Sequence, residues 1–339
     1  MTELAEAMDV GQLGVCQLKR LWSRAMAARE GVTHQQTDDL WLDHLVLHAV
    51  GLGLEQTLQH LMRTTPTFPE FEQWVVATTG GVSPAQTARI NAVIGGGEIP
   101  IETRRLLEVI DASEPVLSEQ DLAFWGQHGY VILHDAVPAG SRDAAAQATL
   151  DFLGADLSNP ETWYPPNPNG IMVQLFQHPA LETNRRSPRI HKAFAQLWGN
   201  ADLWVTTDRV GFNAPERPGH QFRGPHLHWD TSLERPIPFG TQGILYLTDT
   251  EPEQGALTLV PGFHRRIDSW LDRLPAGADP RQQDLYALGA QPVAGRAGDL
   301  IIWHQALPHG SRPNRTQRPR IVQYVNMHPA QGDPRSAWI

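Results

Sequence analysis

Residues Gly298 to Ser311 read GDLIIWHQALPHGS and give the first indication of the fold. The apolar segment of this stretch, 300–303, is short and is followed by a turn containing Pro and Gly, which is typical of a buried β-strand. The turn carries His309, so this strand leads directly to an imidazole. We therefore interpret this half of the chain as strand-rich, with a candidate functional side chain just beyond a strand.

Other short apolar runs flank this stretch, one after Gly129 and the rest from residue 203 onward. Each is bounded by Gly, Pro, Asn or Asp. The predicted strands are 130–133, 203–205, 210–212, 243–247, 256–260, 300–303 and 321–325. Short strands that follow one another without intervening helices favour an antiparallel sandwich or barrel.

The first third of the chain has helical patterning instead. Ser or Thr residues precede the apolar-periodic segments and Gly residues follow them, as expected of N-caps and helix ends. The predicted helices are 40–62 with an interruption at Gly51 and Gly53, 67–80, 83–95, 100–110 and 118–127, followed later by 143–153 and 187–198. We expect residues 1–113 to form a helical N-terminal extension or cap and residues 114–339 to form the strand-rich domain.

The composition excludes several classes of protein. The chain has 339 residues, of which 41% are hydrophobic and 19% are charged, as in globular proteins with a core. A net charge of −10 argues against general binding to nucleic acids or anionic membranes. No apolar run is long enough to span a bilayer, and residues 1–10 do not resemble a secretory signal, so we expect a cytoplasmic protein.

The chain has one cysteine and 15 histidines. Because Cys16 is alone, the sequence excludes an internal disulfide and a thiolate-based zinc site. A metal in this protein would need nitrogen and oxygen ligands. Six of the histidines lie between His220 and His309, in the strand-rich half.

The spacing His228-Trp229-Asp230 places an imidazole and a carboxylate on one face of a strand. This spacing alone is common by chance. Together with His309 it supplies two histidines and one carboxylate, a facial set that favours non-haem Fe(II) and leaves positions open for chemistry. A buried Arg320 would need an anion, and a guanidinium binds a carboxylate bidentately, as a dicarboxylate co-substrate requires.

Four stretches, in this order, resemble the phytanoyl-CoA dioxygenase-like family of Fe(II)/2-oxoglutarate-dependent oxygenases. They are 118–133 (SEQDLAFWGQHGYVIL), the H-x-D at 228–230, 254–265 (QGALTLVPGFHR), and 309–320 with its H-x-S and distal arginine. The resemblance covers residues 118–328. It implies an α+β fold with a mainly β core, namely a double-stranded β-helix (jelly-roll, cupin-like) with flanking helices.

Carried onto this sequence, the resemblance implies Fe(II) as cofactor and 2-oxoglutarate as co-substrate. The implied iron ligands are His228, Asp230 and His309. The implied contacts to 2-oxoglutarate are Arg320 and Ser311, with Asn213 as a further polar contact. Arg318 is the alternative to Arg320, because it stands two positions earlier on the same strand face, although the family spacing favours Arg320.

Three residues near the H-x-D are candidates for substrate binding. His226 stands two positions before the first ligand, where it either contacts substrate or has a structural role. Arg223 belongs to an arginine-rich stretch that either holds an anionic substrate or forms a solvated loop, and Trp229 lies between two implied ligands. His264 and His304 are expected to pack or hydrogen-bond locally.

The resemblance implies hydroxylation of an unactivated C–H bond of a small metabolite, amino-acid-like or a natural product, with O2 consumed and succinate and CO2 formed. Asp230 favours hydroxylation over halogenation, in which chloride takes the place of the carboxylate; desaturation and cyclisation stay open. The N-terminal region is a candidate surface for a homodimer or a carrier protein. The alternatives are a cupin-type metalloenzyme without 2-oxoglutarate, which leaves Arg320 and Ser311 unexplained, and a non-catalytic binding module, which would be expected to lack a ligand.

Overall fold

Helix caps divide the N-terminal region into separate short helices. The computed structural model describes residues 4–32, 39–166 and 169–331. Residues 1–3, 33–38, 167–168 and 332–339, which the predicted domains include, lie outside the described residues. Contacts group the chain into two units, and the first contains the described residues within 1–113, 198–208 and 328–336. Its helices are α1 (Leu18–Arg29), α2 (Leu40–Val50), α3 (Leu54–Thr64), α4 (Phe68–Thr79), α5 (Pro84–Gly95) and α6 (Ile101–Ala112).

The capping signals act as the sequence predicts. Gly51 ends α2 with φ of 79°, a left-handed conformation that glycine adopts without strain. The Ser83 hydroxyl accepts a hydrogen bond from the Gln86 amide (3.1 Å) at the start of α5. Helix α1 carries no comparable cap, and the sequence pattern did not predict it; the apolar residues Leu18 and Leu21 bury it in the core of this unit.

The second unit holds all the predicted site residues and contains the described residues within 114–197 and 209–327. Its helices are α7 (Glu119–His128), α8 (Ala139–Leu153), α9 (Pro179–Arg185), α10 (Pro188–Trp198) and α11 (Ile267–Leu271). Helix α8 begins at Ala139, earlier than predicted, directly after Pro138. No helix among the described residues is long and apolar enough to cross a membrane.

The strands are short, as the sequence predicts. In chain order they are β1 (Tyr130–Leu133), β2 (Met172–Val173), β3 (Trp204–Val205), β4 (Val210–Asn213), β5 (Thr241–Tyr246), β6 (Leu257–Leu259), β7 (Gln291–Val293), β8 (Leu300–His304), β9 (His309–Gly310), β10 (Arg320–Tyr324) and β11 (Met327–His328).

Two antiparallel sheets within the second unit position the site. The larger has the order β1-β8-β5-β10-β4-β2 and the smaller has the order β7-β6-β9 among the described residues. Alternate residues of the larger sheet, such as Ile244, Ile301 and Val322, share one buried apolar cluster with Leu257 and Leu259 of the smaller sheet. The mixed α and β content and the antiparallel sheets agree with the predicted fold class.

Candidate metal centre

Two histidines are brought together by the backbone. The His228 amide donates to the His309 carbonyl (2.9 Å), and the His309 amide donates to the His228 carbonyl (3.0 Å). His309 lies on β9, whereas His228 forms only this isolated bridge, so the prediction that the H-x-D lies on a regular strand is wrong. The bridge nevertheless places the two imidazole centroids 4.8 Å apart.

Asp230 completes a compact group. Its Oδ1 lies 3.2 Å from His228 Nε2 and its Oδ2 lies 3.1 Å from His309 Nε2. One donor atom from each of the three residues lies within 4.8 Å of the other two. The side chain of His309 is 6% exposed and that of Asp230 is 55% exposed, so the group sits where the buried interior opens to solvent. Two histidines and one carboxylate form the donor set that suits non-haem iron.

Backbone carbonyls orient both imidazoles. His228 Nδ1 lies 2.7 Å from the His226 carbonyl oxygen, and His309 Nδ1 lies 3.1 Å from the Leu307 carbonyl oxygen. Because a carbonyl only accepts, each Nδ1 carries a proton and each Nε2 faces Asp230; this Nε2 donates to the carboxylate when the imidazole is protonated and offers a lone pair to a metal when it is neutral. Metal-binding histidines are usually oriented in this way.

The charges within the group stabilise one another. Burial alone would raise the pKa of Asp230, but the hydrogen bonds from His228 and His309 outweigh it and hold that pKa far below its usual range. Burial opposes protonation of His228, yet the contact with Asp230 raises the pKa of its imidazole. The group therefore favours a cation next to an ionised carboxylate.

Core packing and backbone hydrogen bonds hold the segment that carries Asp230. Trp229 is 2% exposed, packs against Phe263 and Trp270, and donates its indole N–H to the Ala306 carbonyl (3.0 Å). The prediction that Trp229 binds substrate is therefore wrong: its position between two residues that face the site points it into the core. Arg281 donates to the carbonyls of Trp229 (2.8 Å) and Thr231 (2.7 Å), which fixes the backbone on both sides of Asp230.

A second cluster forms around the start of β10. Arg320 is 1% exposed, and its Nη1 donates to the Gly255 carbonyl (2.6 Å) and to Ser311 Oγ (3.1 Å). Ser311 in turn donates to the same carbonyl (3.1 Å). The side-chain amide of Asn213 donates to the Arg312 carbonyl (3.1 Å) and would clash with any Cβ at Gly255. The structure thus brings together the three residues that the sequence assigned to 2-oxoglutarate.

Arg320 retains unused donors. Its Nε and Nη2 are buried and have no hydrogen-bond partner among the described residues. A buried charged donor without a partner is costly, and an incoming carboxylate would satisfy both N–H groups at once. Arg318, the alternative, is exposed and pairs with Glu251 at 3.3 Å. The residues present therefore fit an anionic co-substrate at Arg320 and not at Arg318.

The remaining candidates lie on the solvent side. His226 is exposed, its ring contacts Phe222 edge-on at 5.5 Å, and its Nδ1 lies 3.5 Å from the Tyr286 hydroxyl. Arg223 is exposed in the segment that precedes it. His304 accepts a hydrogen bond from the Ala306 amide (3.0 Å) and packs beside His264, which agrees with the local roles predicted for both histidines.

Sequence reasoning missed Gln242 and Trp303. Gln242 donates its amide to Asp230 Oδ2 (2.6 Å), and the Trp303 indole donates to Gln242 Oε1 (3.0 Å). The two residues face each other across β5 and β8. Only the register of that strand pair brings them to Asp230, and no local motif indicates it.

Comparison with known proteins identifies the family. The family model described as phytanoyl-CoA dioxygenase matches residues 125–322, more than half of the chain. A Dictyostelium discoideum protein named as a phytanoyl-CoA dioxygenase is 24% identical, over 63% of this chain and 70% of its own length. An ectoine dioxygenase of Bordetella parapertussis is also 24% identical, over 63% of this chain and 82% of its own length. The crystal structure of iron-bound EctD from S. alaskensis is 18% identical, with a TM-score of 0.48 and coverage of 64% of this chain and 79% of that chain. As the four sequence stretches predicted, the chain belongs to the phytanoyl-CoA dioxygenase family.

Proposed function

We propose that the protein is an Fe(II)/2-oxoglutarate-dependent dioxygenase that hydroxylates an unactivated C–H bond of a small metabolite. Family membership and the His-Asp-His group together support iron(II) as the metal and 2-oxoglutarate as the co-substrate. The observation that carries the proposal is the buried Arg320, whose Nε and Nη2 lack partners among the described residues and lie in one cluster with Ser311.

We propose that the two antiparallel sheets are the halves of a double-stranded β-helix. Support comes from the apolar cluster shared by both sheets and from the backbone bridge at His228 and His309. In this arrangement the donor residues stand where the sheets open, and the apolar interior behind them excludes water.

The proposed role of each residue follows from the ligand atoms or N–H groups that it offers. Nε2 of His228, Nε2 of His309 and the Asp230 carboxylate hold the metal, and the unpartnered N–H groups of Arg320 receive the distal carboxylate of 2-oxoglutarate. Ser311 orients Arg320 and adds a hydroxyl beside the same carboxylate. When bound, iron and 2-oxoglutarate would supply the oxidising chemistry together with O2, one oxygen atom of which enters succinate as CO2 is released while the other enters the hydroxylated product. The protein orients the target C–H bond and shields the site from solvent.

Hydroxylation fits the ligand set best. Asp230 is present and is held in place by a hydrogen bond from Gln242, so the position that a halide would need is filled by a carboxylate. The relative named ectoine dioxygenase favours a small polar metabolite as substrate. The exposed His226 and Arg223 are the proposed substrate contacts on the solvent side.

The test is turnover of 2-oxoglutarate. The purified protein with Fe(II), ascorbate and 2-oxoglutarate is expected to release succinate, and a metabolite screen is expected to raise that rate for the true substrate. Asp230→Ala is expected to abolish succinate formation because it removes the carboxylate ligand. Absence of both succinate formation and 2-oxoglutarate binding in the wild type would overturn the proposal.

We propose that residues 1–113 form a helical extension that serves as a dimer or carrier-protein surface. The helices α1 to α5 share an apolar core that includes Leu45, Leu61 and Phe71 and also Trp204, which supports one packed unit made of this region and residues 198–208. Light scattering tests the dimer, and limited proteolysis is expected to cut first between α6 and α7. Cleavage distributed evenly through α1 to α6 would contradict this packed unit.

A further inference from the structure

A glutamine and a tryptophan form a chain of hydrogen bonds that ends on Asp230. Trp303 Nε1 donates to Gln242 Oε1 (3.0 Å), and Gln242 Nε2 donates to Asp230 Oδ2 (2.6 Å). Gln242 and Trp303 are directly paired across the β5–β8 ladder. These two hydrogen bonds thus connect the centre of the larger sheet to the carboxylate of the candidate metal centre.

The donor and acceptor of each of these hydrogen bonds are fixed by the side chains involved. An indole N–H donates and never accepts, so the group that faces Trp303 is the amide oxygen of Gln242. The amide nitrogen must then face Asp230, where it donates to an ionised acceptor, and hydrogen bonds of this kind are the stronger ones. Trp303 is 3% exposed and its ring packs 5.1 Å from that of His309, so the donor at the start of the chain is rigidly placed.

Asp230 needs such support more than the two histidines do. Each imidazole is oriented by a backbone carbonyl, but the carboxylate belongs to a segment outside the regular strands and is 55% exposed. A carboxylate on an exposed segment has rotamer freedom that weakens metal binding unless another group restricts it. Gln242 is a neutral donor to this carboxylate and therefore does not compete with the metal for charge.

We propose that Gln242, held by Trp303, is a positioning residue that restrains the Asp230 carboxylate through Oδ2 and so keeps its two oxygens facing Nε2 of His228 and Nε2 of His309, ready for the metal. The inference rests on the proposed function, since it assigns a role toward the metal of that same site. Gln242 acts on the metal through Asp230, to which its amide donates.

Metal affinity of the full-length protein tests this role. Co(II) and Mn(II) binding is measured by calorimetry, and the visible spectrum of the Co(II) form reports ligand geometry. Gln242→Met keeps the side-chain length but removes the donor, and we expect it to weaken metal binding about 10- to 100-fold and to change the Co(II) spectrum. Binding within about twofold of the wild type, with an unchanged spectrum, would overturn the inference.

Gln305→Met is the matched control. Gln305 is also a half-buried glutamine, directly after β8, but its amide donates to the Pro238 carbonyl (2.6 Å) and not to a residue of the metal centre. We expect this variant to bind Co(II) like the wild type. An equal loss of affinity in both variants would mean that general loosening of the sheet explains the effect, and the positioning role would be rejected.

Trp303→Phe tests the second link, because it keeps an aromatic ring beside His309 but removes the N–H. We expect it to weaken metal binding in the wild-type background and to change it by less than about twofold when Gln242 is already Met. Additive effects would reject the coupling. Asp230→Ala separates the two proposals: if it leaves metal binding intact, the proposed centre fails, whereas a loss in Asp230→Ala without a loss in Gln242→Met rejects only the positioning role.

Discussion

Arg318 and Arg320 lie two positions apart, yet their guanidinium groups occupy opposite environments. Arg318 is exposed and pairs with Glu251, whereas Arg320 is buried beside Ser311 with two nitrogens that have no partner among the described residues. An exposed ion pair contributes little, while a buried cation with free donors is prepared for an anion. The pair therefore offers a built-in comparison for every experiment on co-substrate binding.

We predict that Arg320→Lys weakens 2-oxoglutarate binding about 10- to 100-fold, because a lysine ammonium cannot reproduce the planar, two-pronged contact. Arg318→Lys should leave the affinity unchanged. Calorimetric titration of 2-oxoglutarate into the metal-loaded protein measures both. No loss in either variant would show that positive charge, and not the buried fork, attracts the co-substrate, and equal losses would show that Arg320 has no role that Arg318 lacks.

Metal binding should stabilise the folded protein. A ligand that binds only the folded state at 100 times its Kd adds about 2.7 kcal/mol to the free energy of unfolding. We predict that Mn(II) or Co(II) raises the melting temperature of the wild type and leaves that of His309→Ala unchanged. Thermal melts with and without chelator provide the measurement, and a similar rise in His309→Ala would place the metal elsewhere.

Trp229 should contribute to stability and not to substrate selection. Its indole is buried between Phe263 and Trp270, so Trp229→Ala is expected to lower the free energy of unfolding by about 3–5 kcal/mol. Trp229→Phe retains most of the packing and should keep the substrate KM of the wild type. Chemical denaturation and steady-state kinetics test the two statements, and a large change in KM with unchanged stability would contradict them.

His304 should make the fold sensitive to acid. Burial, aided by the neighbouring His264, lowers the pKa of His304 to about 4 from its ordinary value of 6.5. Between those two values the unfolded chain binds a proton that the folded chain excludes, so the free energy of unfolding falls as the pH falls through this window. Above about 6.5 neither state is protonated, and His304 contributes no pH dependence.

His304→Asn, which retains an acceptor for the Ala306 amide, should flatten this part of the pH profile of stability. His178 accepts from the Ala180 amide (3.2 Å) in the same way but is less buried, so His178→Asn is the matched control and should leave the profile unchanged. Denaturation midpoints between about pH 4 and pH 7 supply the measurement. A profile for His304→Asn that parallels the wild type would contradict the assignment.

Local sequence patterns predict the helices, the strands and the candidate ligand residues, but not the residues that hold those ligands in place. The H-x-D, His309 and Arg320 are identified by the four stretches that resemble the family, because the H-x-D spacing alone is common by chance. Trp229 was misassigned because proximity in sequence to two donors suggested a shared role, whereas alternation along the segment turns it toward the core. No local sequence pattern indicates Gln242 and Trp303, because their role depends on the pairing of two strands that are distant in sequence.

The reciprocal backbone hydrogen bonds between His228 and His309 have a consequence for folding order. The segment between these two histidines must be looped out for the pairing to form, and contacts so distant in sequence form slowly. A partly folded chain therefore offers only the neighbouring His228 and Asp230, an incomplete chelate. Tight metal binding by all three donors therefore requires that the distant segments carrying His228 and His309 have already paired.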